Sequence, residues 1–165
     1  MRRLWVQMRG MPVGKKVVLG IGNLLMKDDG IGVHAIRALE GRLSQDVELV
    51  DGGTAGCDLL PYMMGAEKII IIDALKGGEP PGAVYRLTPE DCGEQYLEGT
   101  ISLHDLGILV VLHDLALLED KTPSVVIIGI EPKEISWGME LTSDVEKSLP
   151  KVLELVEREL DKTDA

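Results

Sequence analysis

Two carboxylates and one imidazole are the side chains of this sequence whose types and positions best suit chemistry: Asp29, Asp73 and His104. Asp29 lies in a glycine-containing loop, Asp73 ends the apolar run KIIIID, and His104 lies in the segment TISLHD. Carboxylate oxygen and imidazole nitrogen together suit Ni, Zn, Co or Mn better than copper(I) or an iron–sulfur cluster. Three protein ligands leave coordination positions open, as in metal sites that meet a substrate. The residues therefore predict a divalent metal site with room for a further ligand.

The loop that carries Asp29 begins like a nucleotide-binding loop and then departs from that pattern. Within KKVVLGIGNLLMKDDGIGVHAIRALE, Gly20 and Gly22 match the first two glycines of G-x-G-x-x-G, whereas Leu25 occupies the third position. No window of the sequence matches the phosphate-binding pattern G-x-x-x-x-G-K-[ST]. The adjacent carboxylates of Asp28 and Asp29 would repel a pyrophosphate at the start of the following helix. The loop is therefore better suited to a cation than to a phosphate.

Each of these acids also has a structural interpretation. An Asp just before a helix commonly caps it, so we interpret Asp28 as an N-cap, and Asp29 taken alone is open to the same interpretation. Asp73 ends a strand of four isoleucines, so its carboxylate is partly desolvated and needs a hydrogen-bond donor, a cation or a metal beside it. His104 falls in the first turn of a predicted helix, where the helix dipole favours the neutral, metal-binding imidazole, although a lone histidine is a weak signal.

The elements that must position these residues alternate between strand and helix patterns. Such alternation predicts an α/β domain with a mostly parallel sheet and helices on both faces. Ligands bind outside the carboxyl ends of strands in these sheets, which makes the residues directly after each apolar run the candidates for a site. Pro150 is predicted to kink or divide the last helix. The predicted strands cover 17–22, 47–51, 68–73, the end of 77–87 and 124–132, and the predicted helices cover 30–43, part of 52–65, 102–118 and 142–160.

Size and charge limit the class of protein. The 165 residues are expected to form one domain, 16–165, after a basic N-terminal extension, 1–15. A net charge of −11 argues against nucleic acid and anionic membrane surfaces as partners. The apolar runs are too short to span a bilayer, and the basic head lacks the apolar region of a signal peptide. Cys57 and Cys92 form neither a disulfide framework nor a CxxC pair, so we expect reduced thiols and a cytoplasmic protein.

Several segments, taken in order and spacing, resemble the nickel–iron hydrogenase maturation endopeptidases. They are GIGNLLMKDDGIGVHAIRALE, DGGTAGCDLL, IIIIDAL, PPGAVYRL, SLHDLGI, and IIGIEP followed by GMELTSDVEKSLP. The joint signature is G-x-G-N, an acid–Gly loop, D-G-G-T, D-A and S-x-H in this order, and the likeness extends over residues 16–160.

The resemblance implies a three-layer α/β/α sandwich around a five-stranded sheet with one antiparallel strand, which we assign to 83–87. It implies an endopeptidase that removes the C-terminal extension of a nickel–iron hydrogenase large-subunit precursor after nickel insertion. Carried over by motif, the family's metal-contacting residues fall on Asp29, Asp73 and His104. The nickel would be presented by the substrate, and Zn or another divalent ion would be able to substitute. One aspartate would then act as general base, and the loop glycines would let the partner's chain approach closely.

Alternatives to this interpretation remain open. A receiver-like signalling domain would bind Mg²⁺ through Asp28, Asp29 and Asp73, with Lys133 as its final lysine, but its acid pair would follow the first strand directly. Here residues 23–27 intervene. A non-cleaving nickel-binding assembly protein of the same fold is a further alternative. Cys57 follows a glycine loop at a helix start, but no histidine is placed by sequence to pair with it as a nucleophile.

Overall fold

The computed structural model describes residues 14–92 and 106–162, in which strands and helices alternate as predicted. A 3-10 turn, Lys27–Gly30, precedes α1, and a second one, Gly56–Leu59, precedes α2. The first residues of the predicted helix 102–118 lie outside the described residues. The strands are β1 (Lys16–Ile21), β2 (Val47–Gly53), β3 (Lys68–Ala74), β4 (Val84–Leu87) and β5 (Ser124–Ile130), and the helices are α1 (Ile31–Leu39), α2 (Leu60–Met63), α3 (Leu106–Leu118) and α4 (Ser143–Asp161).

The five strands form one sheet in the order β2-β1-β3-β5-β4. β4 runs antiparallel to β5, with Val84 opposite Ile130, and the other neighbouring pairs are parallel. The α/β class and the antiparallel strand assigned to 83–87 are therefore confirmed. β1 lies between β2 and β3. The chain therefore continues from β1 to β2 on one side of it and then crosses to β3 on the other side. This reversal opens a crevice at the carboxyl ends of β1 and β3, where ligands bind in open α/β sheets.

The sheet is covered on both faces, and β3 supplies the centre of both cores. Ile69 and Ile71 pack with α2 and α3, whereas Ile70 and Ile72 pack with α1 and α4. All four isoleucines are fully buried, and each contributes about 1.5–3 kcal/mol through removal of its side chain from water. The strand that ends in Asp73 is thus held rigidly from both sides.

Glycines let α1 lie directly on the strands. A Cβ atom on Gly32 would be 2.3 Å from the carbonyl oxygens of Ile21 and Ile72. A Cβ atom on Gly20 would be 2.2 Å from the carbonyl oxygen of Gly32. Since neither position tolerates a side chain, the start of α1 and the loop before it are drawn over the carboxyl ends of β1 and β3.

Pro150 was predicted to kink or divide the last helix, and it does not divide it, because α4 continues without interruption from Ser143 to Asp161. A kink at Pro150 stays a prediction. Proline removes one N–H and so leaves the carbonyl of Glu146 without its intrahelical donor. Both Pro150 and Glu146 are exposed, which allows water to bind that carbonyl. Neither α4, at 19 residues, nor any other helix in the described part of the chain is long and apolar enough to cross a membrane.

Candidate active site

A cleft of about 180 Å³ lies at the carboxyl ends of β1, β2 and β3. Gly22, Gly53 and Asp73 enter it from the three strand ends, Asp29 enters it from the loop after β1, and Ile108 of α3 covers it. Two of the three predicted site residues therefore share the crevice that the strand order creates. A second cavity, of about 390 Å³, lies beside α3 and contains neither of these aspartates.

Asp29 is oriented by its own loop. Its Oδ2 accepts a hydrogen bond from the N–H of Asn23 at 2.9 Å, and the Asn23 side chain in turn accepts one from the N–H of Leu25 at 2.9 Å. Gly30 is the N-cap of α1, and no side chain caps that helix, so the cap interpretation of Asp29 is wrong. Its Oδ1 receives no hydrogen bond from the residues that the structure describes. That oxygen is available to a metal or to a proton.

Asp28 points away from the cleft, and its interpretation as an N-cap of the following helix is also wrong. It is fully buried, and its Oδ2 accepts hydrogen bonds from Lys133 N–H at 2.9 Å, Glu134 N–H at 3.0 Å and the Thr142 hydroxyl at 2.8 Å. Its Oδ1 accepts a further bond from Thr142 N–H at 2.7 Å. Asp28 thereby fastens the loop before α1 to the segment between β5 and α4.

Asp73 lies at the end of β3 and is half-buried. Its Oδ1 accepts a hydrogen bond from the N–H of Ala74 at 2.8 Å. The expectation of a partly desolvated carboxylate with a donor beside it is confirmed. Because β3 is paired on both sides, by β1 and β5, the carboxylate is presented from a fixed backbone.

The glycines of the first loop serve internal packing. Gly22 has φ +133°, and a Cβ atom on it would lie 1.7 Å from the carbonyl oxygen of Asp29. Its N–H donates to the carbonyl of Gly53 at 2.8 Å, which joins the loops after β1 and β2. A side chain at Gly22 would displace the segment that carries Asp29. The structure thus gives this glycine a role inside the chain, and the predicted role of the loop glycines in the approach of a partner stays a prediction.

His104 lies outside the described residues, so its predicted place beside the two aspartates stays a prediction. Within residues 14–92 and 106–162 there is no group of three His, Cys, Asp or Glu side chains able to hold a metal ion. The other histidines, His34 in α1 and His113 in α3, do not line the cleft. The described part of the site is a pair of carboxylates.

Residues 33–159 match the hydrogenase maturation protease family. The chain belongs to that family. This maturation protease is 36% identical over 143 residues to the hydrogenase 2 maturation protease of Escherichia coli strain K12, an alignment that covers 85% of this chain and 87% of the relative. It is 34% identical over 142 residues to the hydrogenase expression/formation protein HupD of Thiocapsa roseopersicina, where the alignment covers 84% of this chain and 64% of HupD, less than two thirds of its length.

The fold of the maturation protease agrees with a solved relative. The [NiFe] hydrogenase maturation protease HybD from Thermococcus kodakarensis superposes with a TM-score of 0.78 at 34% identity, covering 89% of this chain and 99% of that one. The family resemblance predicted from the sequence segments is confirmed, and with it the assignment to the hydrolases that cut peptide bonds.

The receiver-like alternative is wrong for this maturation protease. Its strand order, β2-β1-β3-β5-β4 with an antiparallel edge, differs from the 2-1-3-4-5 order of a receiver. The Nζ of Lys133 pairs with Asp144 at 2.5 Å, and that carboxylate raises the pKa of Lys133. Asp28, the other half of the supposed acid pair, is turned away from the cleft.

Sequence reasoning missed the structural role of Asp28 and the help that Asn23 gives to Asp29. The bond between the Asn23 side chain and Leu25 N–H had a local signal, because the side chain of an Asn in a turn commonly accepts a hydrogen bond from the backbone two residues on. The Asp28 contacts had none, because the donors lie 105 to 114 residues further along the chain.

Proposed function

We propose that this maturation protease removes the C-terminal extension from the large-subunit precursor of a nickel–iron hydrogenase after nickel has been inserted. The observation that carries the proposal is the convergence of Asp29 and Asp73 in one cleft at the point where the strand order reverses. Family membership supplies the reaction class, and HybD from Thermococcus kodakarensis carries [NiFe] hydrogenase in its name.

Nickel in this proposal belongs to the substrate. Asp29, Asp73 and His104 are the residues that would contact it, and Zn or another divalent ion would be able to take its place. The donor chemistry fits, because carboxylate oxygens suit such divalent ions and the Asp29 Oδ1 has no hydrogen-bond donor among the described residues. When bound, the ion would polarise the scissile carbonyl or make a bound water more acidic.

One of the two aspartates would perform the proton transfers of amide hydrolysis. One carboxylate accepts a proton from the attacking water as its oxygen bonds to the carbonyl carbon. The carbon–nitrogen bond then breaks, and the same group returns the proton to the leaving amine. The hydrogen bond from Asn23 holds the Asp29 carboxylate toward the cleft, and the paired backbone of β3 does so for Asp73. Such fixed orientation lowers the activation free energy of hydrolysis, since the reacting groups need no further ordering.

The test is incubation with a nickel-loaded large-subunit precursor, followed by the intact mass of the product. We expect one cut that releases the C-terminal extension. A precursor without nickel in the presence of a chelator, and a short peptide carrying the extension sequence, should both remain uncut. Efficient cleavage of the nickel-free precursor would contradict nickel recognition. An unchanged mass of the nickel-loaded precursor would instead favour the non-cleaving assembly protein.

A further inference from the structure

Large apolar side chains are exposed on two loops that are hydrogen-bonded to each other, one of which also carries Asp29. They belong to Leu25, Ile135, Trp137 and Met139, whose exposed fractions are 49%, 38%, 79% and 61%. We call these residues the Trp137 patch. Exposed apolar side chains grouped on adjoining loops mark a site of interaction more often than scattered single residues do.

Backbone hydrogen bonds hold the two loops of the Trp137 patch together. The N–H of Gly138 donates to the carbonyl of Leu25 at 3.0 Å, and the N–H of Lys27 donates to the carbonyl of Gly138 at 2.8 Å. Trp137 and Met139 therefore flank a residue that is paired with the loop of Leu25. The buried Asp28 carboxylate joins the same two loops, because it accepts hydrogen bonds from the N–H groups of Lys133 and Thr142. Little ordering remains to be done on binding, which favours affinity.

One loop of the Trp137 patch also carries Asp29, which lines the cleft. Asp29 N–H donates to the carbonyl of Met26 at 3.2 Å, so the catalytic carboxylate is one short turn away from Leu25. An ion pair between Lys27 and Glu134, at 2.6 Å, borders the patch. An apolar centre rich in Trp and Met with a charged border is the usual composition of a protein–protein interface.

We propose that the Trp137 patch docks the folded body of the protein whose C-terminal tail enters the cleft. The occupant is an apolar surface of the large-subunit precursor, outside the extension that is cut, so this inference rests on the proposed function. A chain that reaches the cleft from a folded domain lies over the adjacent loops, and Trp137 is the most exposed of their large apolar side chains. Docking there supplies affinity that a short peptide lacks.

The test compares affinities in the Asp29→Asn background, which prevents turnover. The dissociation constant for the nickel-loaded precursor is measured for Asp29→Asn alone, with Trp137→Ala added, and with Leu117→Ala added. Leu117 is the matched control, because it is 73% exposed but lies near the end of α3 that leads to the amino end of β5, at the opposite edge of the sheet. We expect Trp137→Ala to raise the dissociation constant about tenfold or more, as for an interface hot spot, and Leu117→Ala to change it less than about twofold.

Cleavage kinetics without the Asp29→Asn change separate this inference from the proposed function. We expect Trp137→Ala to raise KM with little change in kcat. If the unsubstituted protein cuts the precursor and Trp137→Ala has the same KM and affinity, the docking surface is refuted while the proposed function stands. If the unsubstituted protein does not cut the precursor, yet Trp137→Ala weakens its binding, the proposed function is refuted while the docking surface stands. A dimer that Trp137→Ala dissociates, with precursor affinity unchanged, assigns the patch to a second copy and overturns the proposal.

Discussion

Replacing Asp28 by Asn is expected to destabilise the protein, although the two side chains have nearly the same shape. All four partners of Asp28 are donors, namely the N–H groups of Lys133, Glu134 and Thr142 and the Thr142 hydroxyl. An asparagine offers one acceptor oxygen and one NH₂ group. The least costly orientation places the amide oxygen at Oδ2, which accepts three of the bonds, and turns the NH₂ group toward the N–H of Thr142.

The size of the destabilisation follows from this one unsatisfied pair, the introduced NH₂ group and the N–H of Thr142. The lost bond to a charged acceptor costs about 1.5–3 kcal/mol, and the unsatisfied N–H of Thr142 costs a further 1–3 kcal/mol or so. Removal of a buried charge offsets part of this cost. We therefore expect a loss of about 2–4 kcal/mol, which for a protein of this size lowers the melting temperature by roughly 5–15 °C.

The assay is scanning calorimetry with Asp29→Asn as the matched control. The Asp29 carboxylate is half-exposed and accepts a single N–H. Asp29→Asn should therefore lower the free energy of unfolding by less than about 1 kcal/mol. In the processing assay the order should reverse: Asp29→Asn inactive, and Asp28→Asn active at temperatures where it is folded. A melting temperature of Asp28→Asn within about 1 °C of the unsubstituted protein would refute the assignment of Asp28 as the fastening between the two loops.

Other substitutions test the remaining features of the site and core. Gly22→Ala should abolish processing and lower the melting temperature, because its Cβ atom would meet the Asp29 carbonyl, whereas Gly41→Ala, with φ +73° and open space around it, should cost only about 1 kcal/mol in calorimetry. Asp73→Asn should abolish processing, as followed by intact mass, with a circular dichroism spectrum like that of the unsubstituted protein. Hydrogen bonds from Arg86 lower the pKa of the buried Glu159 from 4.5 to about 2, so this carboxylate stabilises the fold above pH 4.5 and the stabilisation is lost as the pH falls toward 2. Arg86→Met should reduce this acid-induced loss of unfolding free energy, measured by denaturant titration across the same pH range. An unchanged dependence of stability on pH would contradict the role of Arg86 in lowering the pKa of Glu159.

The three inner strands, β1, β3 and β5, were predictable because each contains an unbroken apolar run. Four successive isoleucines indicate a strand buried on both faces, and Ile69 to Ile72 indeed divide between the two cores. The position of Asp73 followed from the same run, since the carboxyl end of a central strand faces the crevice. The antiparallel direction of β4 came from the family resemblance, because a short strand has no local feature that fixes its direction.

Contacts between distant residues were not predictable. Asp28 looks like a helix cap in the sequence because caps are local, whereas its donors come from the segment between β5 and α4. Pro150 was predicted to kink or divide a helix, yet α4 continues through it, and Val152, Leu153 and Val156 of the same helix are buried against the sheet. Tertiary burial of that face outweighs the one lost backbone bond.

Asp28 and Asp29 point in different directions because of the backbone conformation of their loop from Lys27 onward. Lys27 has φ +47°, a left-handed conformation that costs a non-glycine residue about 1–2 kcal/mol, and it is held there by the hydrogen bond from its N–H to Gly138. The chain then enters a 3-10 turn, in which three residues complete a revolution and neighbouring side chains point about 120° apart. Asp28 is thereby directed into the protein and Asp29 into the cleft. The buried Asp28 carboxylate fixes the turn, and the turn directs the Asp29 carboxylate into the cleft. The same loop carries Leu25, whose carbonyl accepts the N–H of Gly138, the residue after Trp137. Asp28 thus has a structural role, the adjacent Asp29 has the catalytic role that we propose, and substitution of either one alone tests the two roles separately.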